Sequence, residues 1–142
     1  MKTNIDLHQL VECVGDAIIV SDANEKIVLW NPSATRIFGY TKDEALGQTL
    51  DLIVPERQRQ RHSEGYSKSM QTGTTRYGTS LLKVPAKHKN GSTLSIAFTV
   101  GMLFNENHQA NGVVAIIRDE TARFAEERAL KKRIAELENP SA

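Results

Sequence analysis

Apolar positions along the chain switch between a helical period and a period of two, and the switches mark the elements. Ile5, Leu7, Leu10, Val11 and Val14 recur at roughly helical spacing and stop at Gly15, predicting a short amphipathic N-terminal helix. AIIVSD (17–22) and KIVLW (26–30) are rich in β-branched residues and separated by Ala23, Asn24 and Glu25, the pattern of a hairpin. Asn31 then offers an N-cap with Pro32 at the first helical position, opening a helix through Ile37 and Phe38 that Gly39 ends. Thr41 and Glu44 have the spacing of a capping box, Tyr40 and Ala45 that of a hydrophobic staple, and Gly47 closes a second very short helix.

After the apolar LDLIV (50–54), the stretch VPERQRQRHSEGYSKSMQTG (54–73) predicts one longer helix, with Pro55 at its first position and Gly73 as its stop. Its core-facing stripe is narrow: His62, Tyr66 and Met70, at i, i+4 and i+8. An imidazole where Leu or Ile is usual suggests a face that borders a cavity. Leu81–Lys87 and Ser92–Phe104 predict strands, joined at Asn90-Gly91 by a type I′ turn. On the second of these, Leu94, Ile96, Phe98, Val100 and Met102 form one apolar face. A polar loop (105–111) leads to GVVAIIRD, where Val113, Ala115 and Ile117 share a side and the small Ala115 leaves room. From Thr121 to Glu138 the pattern is helical and highly charged, with Glu127 and Lys131 as a favourable pair. Leu130, Ile134 and Leu137 keep the spacing of a coiled-coil seam, and Phe124, Ala125 and Ala129 extend an apolar stripe less regularly.

The expected organisation is an N-terminal cap helix (1–15), a core (16–120), a C-terminal signalling or dimerisation helix (121–138) and a disordered tail (139–142). At 142 residues, 39% hydrophobic and 25% charged, the chain suits one domain with a sizeable core. A net charge of +1 argues against nucleic acid as the main partner. No apolar run approaches a membrane span or a signal peptide, and the lone Cys13, expected to be buried and inert, allows no internal disulfide. A cytoplasmic location is the expectation. No nucleophile motif, phosphate loop or paired acids stand out, so no enzyme is expected.

The stretch DAIIVSDANEKIVLWNPSATRIFGYTKDEALGQTLDLIVPE resembles the opening half of a PAS sensory domain. KNGSTLSIAFTV is similar to its central hairpin, and AIIRDETAR to its closing strand with the Asp-x-Thr exit into a signalling helix. The resemblance covers about residues 6 to 123 and implies an α+β fold with a five-stranded antiparallel sheet and short helices on one face. Within the family, RQRHSEGYSKSMQTG resembles the corresponding helix of the oxygen-sensing haem PAS domains, in which a histidine ten residues before a Thr-Gly helix end ligates the iron. His62 stands at that position. The resemblance then implies haem b held by His62, with Ile96, Phe98, Val100, Val113, Ala115 and Ile117 lining an apolar box and Tyr66 and Met70 packing beside it. Lys68 and Arg76 fall where it puts basic partners for the propionates. The sequence departs from the oxygen sensors at Leu82, which stands where they carry a ligand-contacting arginine; Lys83, beside it in a strand, points the other way. An apolar distal side disfavours hydrogen-bonded oxygen and suits carbon monoxide, nitric oxide or a redox readout.

Blander readings stand beside these. His62 can be a structural histidine bonded to a neighbouring loop, in an interaction and dimerisation module whose pocket is empty or holds an organic metabolite. Segment 47–52 lacks the reactive cysteine of the flavin-binding branch, which disfavours a covalent flavin and leaves a noncovalent one. His8, His88 and His108 are expected to be exposed, and Trp30 to be a core aromatic. The partners expected are a second copy, through the terminal helices, and a downstream signalling protein that is a separate chain or part of a longer parent.

Overall fold

The computed structural model describes residues 4–139; positions 1–3 of the expected cap helix and positions 140–142 of the expected disordered tail (139–142) lie outside them. Five strands form one antiparallel sheet in the order β2-β1-β5-β4-β3: β1 Ala17–Asp22, β2 Ile27–Trp30, β3 Leu82–Lys87, β4 Thr93–Phe104 and β5 Ala110–Asp119. Helices α2 (Pro32–Phe38), α3 (Lys42–Ala45) and α4 (Arg59–Thr72) connect β2 to β3, while α1 (Leu7–Cys13) and α5 (Thr121–Glu138) flank the sheet in sequence.

The register places Ala17, Ile19 and Ser21 of β1 on the same face as Ile117, Ala115 and Val113 of β5, and as Phe98, Val100 and Met102 of β4. That inner face meets Ala34, Ile37, Phe38, Ala45 and Ile53 in a core that also takes in Trp30, 2% exposed and 5.8 Å from Phe38 between ring centroids. Asn31 ties the entry to this core together. Its side-chain oxygen accepts from the backbone N–H groups of Ile18 and Ala34, and its amide donates to the carbonyls of Val11 and Asp16, so every polar atom is used although the residue is 1% exposed.

Local signals worked as the side chains dictate. Gly39 ends α2 in the left-handed region (φ 86°), and Thr41 and Glu44 form both halves of the capping box. Five expectations need correction. The stretch 54–73 is not one helix: a 3₁₀ turn, Glu56–Gln58, precedes α4, whose stop at Gly73 (φ 74°) is as expected. The β3–β4 turn is not type I′, because only Gly91 has positive φ; Gly91 N–H donates to His88 O, and Asn90 Oδ1 accepts from Ser92 instead of sitting left-handed. Cys13 is exposed, since no residue of α1 is buried. Glu127 pairs with Arg123 at 3.6 Å, not with Lys131. His88, expected at the surface, is half-buried against Gly39, where a Cβ would lie 2.5 Å from its Cε1; His8 and His108 are exposed.

Candidate functional site

Helix α4 is held to the β1–β2 hairpin by polar side chains one turn apart, which is what its scarcity of apolar residues demands. Tyr66 is buried, with its hydroxyl 2.6 Å from Asp22 O and 2.8 Å from Ser21 Oγ. Having one proton, it donates to the carbonyl and accepts from the serine. Burial, countered by the Ser21 hydrogen bond and reinforced by Asp22 and Glu25, pushes the Tyr66 pKa up to about 12. One turn earlier, His62 Nδ1 lies 2.8 Å from Glu25 Oε1. Glu25 sits in the β1–β2 turn at φ 67°, a backbone region that L side chains rarely adopt. Among the described residues His62 Nε2 has no hydrogen-bond partner.

At the far end of α4, Gly73 comes close to the ring of Phe104, so the helix runs from the hairpin turn to the end of β4. The inner sheet face beside it is incompletely sealed. Across one row, Ile19 is 2% exposed whereas its neighbours Ala115 and Val100 are only half-buried; across the next, Ser21 is buried whereas Val113 and Met102 are half-buried. These half-buried central positions mark where the inner face is incompletely covered, with Phe98, packed against the core, and Leu82 toward its β3 side.

The structure places Phe98, Val100, Val113, Ala115 and Leu82 on one inner face and Tyr66 against Ser21 of that face; His62 meets the β1–β2 turn, and Met70 is half-buried. Ile96 and Ile117 are 5% and 3% exposed and belong to the packed core. Leu82 pairs with Phe98 on the inner face, and Lys83 pairs with Ala97 on the other. Lys68 is exposed on a flank of α4, beside an open concavity of about 600 Å³ that it shares with Gln60, Ser63, Glu64, Ser67 and Gln71; Tyr66 and Met70 are not among its walls. Arg76 is exposed, donates to the Tyr77 hydroxyl at 3.0 Å and stacks on that ring. Glu25 is the residue that pattern reading missed. The available signal was its place in the turn, where a glycine or asparagine is the ordinary left-handed residue.

Among the described residues no group of three or more His, Cys, Asp or Glu is placed to hold a metal ion. A lone imidazole with an unbonded Nε2 is a donor that suits a metal whose remaining ligands come from a macrocycle, as those of haem do.

A model of the PAS fold matches residues 5–119, and the chain belongs to the PAS family. It is 30% identical over 95 residues to the sensor protein FixL of Bradyrhizobium diazoefficiens, covering 67% of this chain and 19% of that protein. With the oxygen sensor protein DosP of Escherichia coli it shares 21% identity over 123 residues, 87% of this chain and 15% of DosP. The chain spans 12% to 19% of the length of the curated relatives it matches. Two solved structures share the fold. One is a PAS domain from Colwellia psychrerythraea (TM-score 0.71, 24% identity, 82% of this chain and 95% of that one). The other is an RNA-binding light-oxygen-voltage receptor (TM-score 0.71, 17% identity, 91% and 36%).

Proposed function

We propose that the chain is a non-catalytic, cytoplasmic sensory PAS domain that holds haem b through His62 and signals through α5. The observation that supports this is His62 itself, with Nδ1 committed to Glu25 and Nε2 left without a hydrogen-bond partner. Haem, when bound, supplies an iron that takes a diatomic gas or changes valence. Phe98, Val100, Val113 and Ala115 would enclose the macrocycle, Lys68 and Arg76 would reach its propionates along their flexible stems, and Leu82 keeps the opposite side apolar.

The route outward uses bonds that the chain makes. His62 and Tyr66 fix α4 to the β1–β2 turn, and β1 is laddered along its whole length to β5. At the exit of β5, Asp119 Oδ1 accepts from Thr121 N–H and Oγ1–H, and Thr121 Oγ1 accepts from Ser95 N–H on β4. Glu120 N–H donates to Ser95 O. A shift of α4 against the hairpin therefore strains a junction that β4, β5 and α5 share.

Leu130, Ile134 and Leu137 are exposed, and we assign them to pairing with a second copy. With Leu130 and Leu137 at d and Ile134 at a, parallel helices set Glu126 against Lys131 and Arg133 against Glu138 of the partner helix, both attractive. The output protein is a separate chain or a further part of a longer one, as in relatives many times longer.

The competing reading, an interaction module with an empty or metabolite-filled pocket, is favoured by the satisfied His62–Glu25 pair, which also makes sense as a latch. Haem titration separates them: the first reading expects stoichiometric uptake by the wild type and none by His62→Ala, the second no uptake by either protein. A flavin-like spectrum in purified protein would contradict both cofactor assignments.

A further inference from the structure

Helix α4 is weak by each local measure. Gln58 makes no side-chain capping bond at its start, and Arg59 and Arg61 put positive charge where the helix dipole is already positive. Tyr66 is its one buried residue. The bonds that attach it to the fold run from Arg59, His62 and Tyr66, in its first two turns. Beyond Tyr66, among the described residues, nothing in α4 hydrogen-bonds to a strand or to another helix; Thr72 Oγ1 donates back to Lys68 O. Gly65 stands at the middle of this helix, where glycine lowers the helix–coil equilibrium about fivefold relative to alanine. Neither reason for a glycine applies there. Gly39 and Gly73 stand at positive φ but Gly65 does not, and a Cβ on Gly65 would meet nothing within 4 Å.

The helix lies beside β5, where Val113, with Val100 and Met102 of β4, is only half-buried, so the weakest cover meets the least sealed part of the inner face. We propose that α4 is a lid that melts while the sheet stays folded, that Gly65 sets how often it does so, and that the opening admits the ligand of the inner face, a step that rests on the haem reading above. An element that buries one side chain and is tied down at one end opens at a small fraction of the cost of the whole fold. His62 rides on this element, so the helix is folded when it holds iron and displaced when a macrocycle reaches the sheet behind it. Association and release both pass through the open form. Each rate therefore scales with the open population, and their ratio does not.

Two substitutions strengthen the helix without touching the sheet. Gly65→Ala adds a methyl group into open space, and Arg61→Glu puts an acid into the first turn at an exposed position. Native-state hydrogen exchange of the haem-free protein measures the opening. In the wild type, amides of residues 66–71 should exchange more than about tenfold faster than those of residues 18–20 and 114–116. The α4 amides should slow about fivefold in Gly65→Ala and about twofold in Arg61→Glu. Stopped-flow mixing with haemin should show association and release both slowed about fivefold in Gly65→Ala, with Kd unchanged. Protection in α4 equal to that of β1 and β5 overturns the lid, because the helix then opens only with the whole fold. Exchange of α4 unchanged in Gly65→Ala overturns the role of the glycine. Haem rates unchanged in a Gly65→Ala protein whose α4 exchange has slowed put the entry route elsewhere and overturn the lid as well. A wild type that takes up no haem overturns the haem reading instead, and the exchange measurements still decide whether α4 opens by itself.

Discussion

At Tyr66 a single hydroxyl carries much of the attachment of α4. Tyr66→Phe leaves Ser21 Oγ and Asp22 O without their partner under the helix, and we expect a loss of about 1–3 kcal/mol in urea unfolding. The same hydroxyl sets an alkaline limit. Its pKa is raised from 10.0 to about 12, so the fold favours the protonated form; that contribution is complete below pH 10 and is lost as the pH climbs toward 12. Stability of the wild type should fall across that window, and Tyr66→Phe should flatten the fall. Asn31 is more heavily used, and Asn31→Ala strands partners on α1, β1 and α2 together. We expect about 3–4 kcal/mol from that change, read by the same denaturation. Asn31 was legible in the sequence as an N-cap, but its other three bonds were not, because they join residues brought near only by the fold. Glu25 offered only its unusual place in the turn, and nothing in Ala-Asn-Glu-Lys says that an imidazole 37 positions on will face it.

Among the elements, those defined by local chemistry were read closely and those defined by packing were not. The limits of β1, α2 and α5 follow from β-branched runs, the Asn31-Pro32 start with its Gly39 stop, and the Asp-x-Thr exit. The start of α4 did not: Pro55 caps a 3₁₀ turn at 56–58, and α4 begins only at Arg59. The turn at Asn90-Gly91 was misread because Asn90 spends its side chain on Ser92. Gly39 marks a place where conformation and space agree. Gly39→Ala should cost about 1–2 kcal/mol for the left-handed backbone alone, and more as the His88 ring is displaced, measured by thermal or urea unfolding. For α5, the pairing assigned above predicts that Lys131→Glu weakens self-association and that Glu126→Lys added to it restores it, by sedimentation equilibrium. Unchanged association in both variants would place the contact elsewhere.

The whole molecule divides into a sealed half and an open half. Beneath α2 and α3 the sheet is dry, with Ala17, Ile19 and Trp30 almost wholly buried; beside α4 the floor of Val100, Met102 and Val113 stays half-buried. The sequence hinted at this through His62 and Ala115, since neither is a residue that fills a core. It did not show that Ile96 and Ile117 fall on the sealed side, because alternation assigns a face but not which part of that face is covered. No helix among the described residues is long and apolar enough to cross a membrane. We propose the open half as a haem site with His62 as its ligand. Its most direct test is the absorption spectrum of the protein purified from haem-supplemented cells, beside that of His62→Ala. The wild type should show a Soret band that is absent from the folded variant. A colourless wild type that takes up no haem in titration, or an identical band in His62→Ala, would contradict it.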